Sequence, residues 1–193
     1  EQKDATEKAL DLLSDQLAEI VHVVPASAVT KLREVTLWFS PEYPGIGPKA
    51  EYHPAVGWLR ANQRDPAMAK GIEFTNIRIF AAETSRMPNF ALHELAHAYH
   101  DRVLGFERAD IQAAYEKAKA GGTYDKVERQ DSEGRKRFDR AYAMVNHKEY
   151  FAELTEAFFA RNDFFPYHKA ELEKHDPEMS KLLGRLWNSS AAK

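Results

Sequence analysis

Two histidines four residues apart, His93 and His97, place the strongest constraint on how this 193-residue chain can fold. Residues four apart lie on one face of a helix, so the two imidazoles can hold one metal ion if this segment is helical. Two neutral imidazoles suit zinc, and Glu94, one step round the helix, can reach a water molecule on that zinc. The uncharged flanks, Asn89–Leu92 and Ala98–Tyr99, favour a buried helix over the alternative of two histidines on a surface helix.

The composition limits the classes of partner. Hydrophobic residues make up 44% of the chain and charged residues 30%, which is ordinary for a globular protein and argues against long disorder. The 27 basic and 30 acidic residues give a net charge of −3, so nucleic acid and anionic membranes are poor candidate partners. No apolar run approaches the roughly twenty residues that a transmembrane helix needs.

The chain contains no cysteine, which excludes a thiolate zinc site, a cysteine nucleophile and a disulfide framework. A chain without cysteine tolerates oxidising and reducing compartments alike. The sequence begins at Glu1 rather than Met, which is compatible with signal-peptide removal and therefore with a secreted or extracytoplasmic protein. A trimmed chain would look the same, so the compartment stays open, as does the oligomeric state.

Periodicity predicts a single α+β domain spanning residues 1–193. An N-terminal amphipathic helix is expected over 4–21, a core that contains the histidine motif over about 34–165, and C-terminal helices over 166–188. In the core we expect a small mixed sheet packed on the motif helix. Its strands are predicted from β-branched and aromatic residues at Val35–Phe39, Ile72–Phe74 and Ile77–Phe80. The charged segment 124–138, with a turn signal at Gly134, predicts a hairpin or a mobile loop.

A catalytic zinc usually takes three protein ligands, so one more His, Asp or Glu is required. A third histidine just beyond the motif helix would need Gly at position 100 and His at position 103, but the chain has His100 and Val103. The strongest remaining candidates are Glu149 and Glu153, four apart on an otherwise apolar helix. Acidic groups on a buried face are costly unless they bind metal or are paired. The alternative is that both lie on a solvated edge with Glu156.

These two blocks, His93-Glu94-Leu95-Ala96-His97 and Glu149-Tyr150-Phe151-Ala152-Glu153, together with Tyr142, resemble the catalytic domain of anthrax lethal factor and its relatives. That group of gluzincin metalloproteases includes the bacterial Pro-Pro endopeptidases. The resemblance covers roughly residues 70–165 and is specific only in the two blocks. It implies a zincin-like fold, Glu149 as the third zinc ligand and Tyr142 as a hydroxyl donor to the substrate oxyanion. It also implies that Glu153 supports the site from outside the ligand set, where it could accept the free N–H of a ligating histidine.

The sequence therefore predicts a zinc-dependent metallopeptidase that hydrolyses peptide bonds in a peptide or protein substrate, with Zn²⁺ as cofactor and Glu94 as general base. Two alternatives stay open. One is a non-catalytic, zinc-stabilised binding or regulatory domain, and the other is a metal hydrolase of a non-peptide amide. The resemblance also implies that the strand before the metal helix, here the predicted strand Ile77–Phe80, borders the cleft and pairs with an extended peptide.

Overall fold

The computed structural model describes residues 2–188, which form a mixed α+β fold with one three-stranded and one two-stranded sheet. The α-helices in this range are α1 (Gln2–Val23), α2 (Ala26–Leu32), α3 (Val56–Ala61), α4 (Phe80–Arg86), α5 (Phe90–Tyr99), α6 (Ala109–Gly121), α7 (His147–Phe159), α8 (Lys169–His175) and α9 (Pro177–Asn188). The strands are β1 (Leu37–Phe39), β2 (Ala50–Tyr52), β3 (Ile72–Phe74), β4 (Val127–Gln130) and β5 (Lys136–Asp139).

The three-stranded sheet confirms the prediction of a small mixed sheet. Its order is β1-β3-β2, with β1 parallel and β2 antiparallel to the central strand β3. All three residues of β3 are buried, and the sheet packs against α5 through β2 and β3. Because β2 lies at the edge of the sheet, its outer side borders the space beside α5.

The predicted strand at Ile77–Phe80 is wrong. Ile77–Ile79 form a 3₁₀ turn that leads directly into α4, so this segment cannot form the sheet edge beside the cleft. The apolar residues Ile77 and Phe80 are three apart, a spacing that fits a helical turn as well as a strand of alternating residues. Phe80 is buried and its ring packs against Phe74 and Phe90, so tertiary contacts favour the helical alternative. The strand that borders the cleft is β2.

The helix α5 holds the histidine motif and begins after Pro88. The side chain of Asn89 caps it by accepting a hydrogen bond from the Leu92 amide. A π-helical turn over His100–Leu104 extends it, and Gly105 ends it with a φ of +84°. The observed helix includes the histidine motif and nearly all of its uncharged flanks and is buried over most of its length, as the sequence predicts. It packs along α7, which Asn146 caps through the amides of two residues in the first turn.

The segment 124–138 forms a hairpin, one of the two predicted alternatives. Strands β4 and β5 pair antiparallel, and Gly134 lies in the connecting turn with a φ of +78°. The other side of β4 is joined to the chain after α7, because the Gln130 amide donates to the Asp163 carbonyl and the Phe165 amide donates to the Glu128 carbonyl. The hairpin is thereby fixed beside the C-terminal end of α7.

The main hydrophobic core lies around α5 and α7, with α1 on one side and α9 on the other. At its centre Tyr99 stacks on Trp187 with ring centroids 4.2 Å apart. The N-terminal helix predicted over 4–21 is α1, and the helices predicted over 166–188 are α8 and α9. In residues 2–188 the helices are all too short or too polar to cross a membrane.

Candidate metal centre

Three side-chain atoms converge at the centre of the α5–α7 interface. The Nε2 atoms of His93 and His97 lie 3.1 Å apart. Oε2 of Glu149 lies 3.1 Å from Nε2 of His93 and 3.2 Å from Nε2 of His97. The structure thus brings together the three residues that were predicted as metal ligands, two from one turn of α5 and one from the first turn of α7.

This triangle has the dimensions that a zinc ion requires. Ligand atoms about 2.0–2.1 Å from a tetrahedral ion lie about 3.3 Å from one another, close to the separations observed here. Two imidazole nitrogens and one carboxylate oxygen are also ordinary zinc donors. An ion placed above this triangle would have three protein ligands and an open fourth position, which is the arrangement of catalytic rather than structural zinc sites.

The electrostatics of the centre favour a positive charge. Burial alone would raise the pKa of Glu149, but its contacts with His93 and His97 hold that pKa well below its usual range. Burial alone would lower the pKa of His93, but hydrogen bonds with Glu149 and Glu156 raise it well above its ordinary value. A buried cluster with this balance stabilises a proton or a metal cation between the imidazoles and the carboxylates.

A second glutamate contacts His93 at Nδ1, the ring nitrogen that is not part of the triangle. Oε1 of Glu156 lies 2.6 Å from Nδ1 of His93, whereas Oε1 of Glu153 lies 3.6 Å from the same nitrogen. Glu153 instead accepts a hydrogen bond from the side-chain amide of Asn162. The contact expected of Glu153 is therefore made by Glu156, one helical turn further along α7. A carboxylate that accepts the Nδ1 proton leaves the lone pair of Nε2 free for a metal ion.

Burial distinguishes these two glutamates from surface residues. Glu153 is 2% exposed and Glu156 is fully buried, so the alternative of a solvated edge does not hold. Burial raises the pKa of both carboxyl groups, to about 7 for Glu156 in spite of the opposing effect of His93. Glu156 lies on the same face of α7 as Glu149 and Glu153. Its helical spacing from them is the feature of the sequence that could have identified it as a residue of the site.

Glu94 lies beside the centre and is held by the edge strand. Its Oε2 accepts a hydrogen bond of 2.8 Å from the amide of Tyr52 in β2, and its Oε1 has no partner within residues 2–188. The hydroxyl of Tyr52 donates to Asp101, which also pairs with Lys70. Sequence reasoning missed Tyr52, because a backbone amide supplied by another strand has no signature in residue type.

Tyr142 lies at the mouth of the site. It begins a short 3₁₀ turn after the hairpin, and its ring centroid is 6.4 Å from that of His93. The side chain is 46% exposed, so it is not the core residue that an aromatic between two alanines would suggest. Partial burial and the charge of Glu149 raise its pKa, which keeps the hydroxyl protonated at neutral pH.

A cavity of about 250 Å³ opens beside these groups. His93, Glu94 and Tyr142 line it on the side of the triangle, and Lys49 and Ala50 line it on the side of β2. Further lining residues come from α4 and its C-terminal cap, from the hairpin and from the segment after α7, namely Glu83, Arg86, Met87, Arg129, Asp163 and Phe164. His93 of the candidate metal centre therefore faces a cleft that the sheet edge also borders.

Comparisons of the chain with protein-family models, with curated proteins and with solved structures find no match.

Proposed function

We propose that this protein is a zinc-dependent metallopeptidase of the gluzincin type, with a zincin-like fold. The observation that carries the proposal is the triangle of His93, His97 and Glu149, with separations of 3.1–3.2 Å, next to a glutamate that is held at one oxygen and unpaired at the other. Zinc bound there would polarise the scissile carbonyl and make a water molecule more acidic.

The residues around the triangle support the proposal of amide hydrolysis. Glu94 accepts a proton at Oε1 from the attacking water, whose oxygen forms the new bond to the carbonyl carbon. Tyr142 donates its O–H to the carbonyl oxygen as negative charge develops on it. When the C–N bond breaks, Glu94 passes the proton to the departing nitrogen. Glu156 keeps the His93 ring in the orientation that directs Nε2 towards the triangle.

The cleft supports a peptide as the substrate. β2 is an edge strand, and Ala50 in that strand lines the cavity beside Glu94. An edge strand offers backbone donors and acceptors to an extended chain, and peptides bind to many proteins in this way. The two alternative functions are less well supported. A non-catalytic zinc domain needs neither an unpaired Glu94 oxygen nor an exposed Tyr142, and a small amide substrate would not use the sheet edge.

Elemental analysis and peptide digestion together test the proposal. We expect about one zinc per chain in the wild type and in Glu94→Gln, and a severe loss of zinc in Glu149→Ala. The zinc-loaded wild type should cleave members of a mixed peptide library, as detected by mass spectrometry, whereas Glu94→Gln should cleave none. Glu173→Ala, which removes an exposed glutamate from α8, should match the wild type in both measurements.

Three outcomes would contradict the proposal. Wild type without zinc, even after repletion, would exclude the metal centre. A zinc-loaded protein that hydrolyses simple amides but no peptide would favour the non-peptide hydrolase. A zinc-loaded protein that hydrolyses neither would favour the binding or regulatory domain.

A further inference from the structure

Arg129 also lines this cavity, and contacts with Asp163 and Phe164 hold its guanidinium group. Its Nε donates to Oδ2 of Asp163 over 3.0 Å, and its guanidinium carbon lies 4.5 Å from the centre of the Phe164 ring. Asp163 is almost fully buried and also accepts a 2.8 Å hydrogen bond from Arg86. A guanidinium fixed at Nε and stacked on an aromatic ring has little freedom left in its orientation.

The remaining donors of Arg129 are unused. Its two terminal nitrogens make no hydrogen bond to any residue in the range 2–188, and 27% of its side chain is exposed. The terminal nitrogens of a guanidinium form a planar fork that matches the two oxygens of a carboxylate. The structure therefore presents an oriented, unfilled carboxylate-binding group beside the proposed reaction centre.

The acidic residues of the cavity do not occupy this fork. Glu83 pairs with Arg86. Glu94 accepts the Tyr52 amide, and Glu153 accepts the side-chain amide of Asn162. Asp163 is shared between two guanidinium groups, so it only partly compensates the charge of Arg129. A carboxylate on the substrate would supply the missing acceptor.

The size and walls of the cavity define what can carry this carboxylate. A volume of about 250 Å³ lies below the roughly 300–1,000 Å³ of pockets that enclose whole small-molecule ligands, so it fits one amino-acid side chain. Met87, Phe90 and Phe164 give it apolar walls that suit an aliphatic stem. The cavity thus combines apolar walls with the unoccupied terminal nitrogens of one guanidinium group, that of Arg129.

We propose that Arg129 is a specificity-determining residue that binds a carboxylate of the peptide substrate, carried by a residue adjacent to the scissile bond. This proposal rests on the metallopeptidase function proposed above. The carboxylate can belong to a Glu or Asp side chain, or to the C-terminus of a substrate that ends shortly after the scissile bond. The hydrogen bonds to Arg129 are the same in both cases.

Equilibrium binding to an inactive enzyme tests this inference without relying on turnover. The protein is zinc-loaded Glu94→Gln, and the ligands are fluorescent, end-blocked versions of a peptide that the wild type cleaves, with Glu or Gln at each position next to the scissile bond. We expect the Glu peptide to bind at least about tenfold more tightly than the Gln peptide at one position, because hydrogen bonds to a charged acceptor are strong. Adding Arg129→Gln should reduce the preference to less than about twofold.

Two further variants distinguish an effect of the Arg129 guanidinium geometry from an effect of the positive charge of the hairpin. Arg135→Gln removes the same charge from the exposed turn of the hairpin and should leave the preference intact. Arg129→Lys keeps the charge but lacks the fork, so it should lose most of the preference while retaining the zinc content and melting temperature of its parent. A second set of peptides with a free C-terminus shows which carboxylate binds to Arg129. If only these peptides bind in a way that depends on Arg129, the carboxylate is that of the C-terminus.

Equal binding of acidic and neutral peptides would overturn the inference, and so would a preference that survives both Arg129 substitutions. In either case cleavage by the wild type would leave the metallopeptidase proposal standing. If the wild type cleaves no peptide at all, the proposed function fails first and the role of Arg129 fails with it.

Discussion

Glu149, Glu153 and Glu156 lie on one face of α7, yet each has a different relation to His93. The first faces Nε2 of the imidazole at 3.1 Å, the third faces Nδ1 at 2.6 Å, and the second lies 3.6 Å from Nδ1 and bonds to Asn162. The hydrogen bond from Nδ1 decides which way the ring points. Glu156 is therefore expected to matter for metal binding although it does not touch the metal position.

Replacing Glu156 by Leu should weaken zinc binding by about 10- to 100-fold, the usual effect of losing a partner that orients a ligating histidine. Competition with a chromophoric zinc chelator measures this affinity. Glu156→Gln, which retains an acceptor, should recover most of it, and Glu153→Leu should stay close to the wild type. A larger loss in Glu153→Leu than in Glu156→Leu would contradict this assignment and restore the role implied by the resemblance.

The sequence was informative about single residues where the chemistry depends on local spacing. His93, His97 and Glu94 lie within one helical turn, so their mutual placement follows from helix geometry alone. The third ligand required a second helix. Spacing on an apolar helix left Glu149 and Glu153 as candidates, and the resemblance to known metalloproteases favoured Glu149. The contact between Tyr52 and Glu94 joins residues 42 positions apart through a backbone amide, so no pattern in the sequence indicates it.

At the level of elements, the start of α7 positions the third ligand. The side chain of Asn146 accepts hydrogen bonds from the amides of Lys148 and Glu149, at 2.8 and 3.0 Å. These bonds satisfy two of the amides that a helix leaves unpaired at its N-terminus. They also fix the backbone of Glu149 in the first turn.

Asn146→Ala should reduce the free energy of unfolding by about 1 kcal/mol, the typical cost of losing such a cap. It should also weaken zinc binding, because the backbone of Glu149 loses a contact. Urea denaturation of the metal-free protein measures the first effect and chelator competition the second. Asn146→Asp preserves the acceptor and should behave like the wild type. If the Asn146→Ala and Asn146→Asp variants had the same free energy of unfolding, the side-chain cap would not contribute to stability.

Elements with strong periodicity or clear end signals could be predicted, and short ones could not. Helix α5 has a capping residue before it and a glycine after its π-helical extension, so both of its ends are marked in the sequence. Ile77–Phe80 is too short for periodicity to distinguish a strand from a helical turn. β2 was missed because its three residues, Ala50–Tyr52, follow a loop rich in proline and glycine, and only pairing with β3 makes them a strand.

On the scale of the whole molecule, the sheet contains a buried charged cluster away from the metal centre. Glu73 on β3 is 1% exposed and accepts hydrogen bonds from Tyr43 and Arg64 at 2.7 and 2.6 Å, with His53 at 3.0 Å. Burial alone would raise the pKa of Glu73. Hydrogen bonds with Ser40, Tyr43 and His53, and the charge of Arg64, outweigh it and lower the pKa below the ordinary value of 4.5.

This cluster should make the stability of the protein depend on acid pH. Because the pKa of Glu73 is lower in the folded than in the unfolded chain, its contribution is fully present above pH 4.5 and is lost as the pH falls through the folded value. The free energy of unfolding of the metal-free protein, measured from pH 7 downwards, should therefore fall more steeply in the wild type than in Glu73→Gln.

The matched control for this measurement is Glu51→Gln, since Glu51 pairs with Glu73 across the sheet but is partly exposed. It should retain the pH dependence of the wild type. Equal slopes for the wild type and Glu73→Gln would exclude Glu73 as the source.

The way the elements assemble was the least predictable level. The α+β class and the small mixed sheet could be expected from composition and patterning. The joining of the hairpin to the segment after α7 could not, because it depends on backbone hydrogen bonds between Gln130 and Asp163 and between Phe165 and Glu128. That junction brings Arg129 to the cavity, so this part of the cavity wall depends on how the elements assemble.

His93 and Glu149 are separated by 56 positions in the chain. An ion bound to both would close a loop of that length, and loop closure in an unfolded chain is opposed by its entropy. An ion that binds the folded arrangement in preference to the unfolded chain makes the affinity for the ion and the free energy of folding thermodynamically linked. The population of folded chains would then rise with the concentration of free zinc.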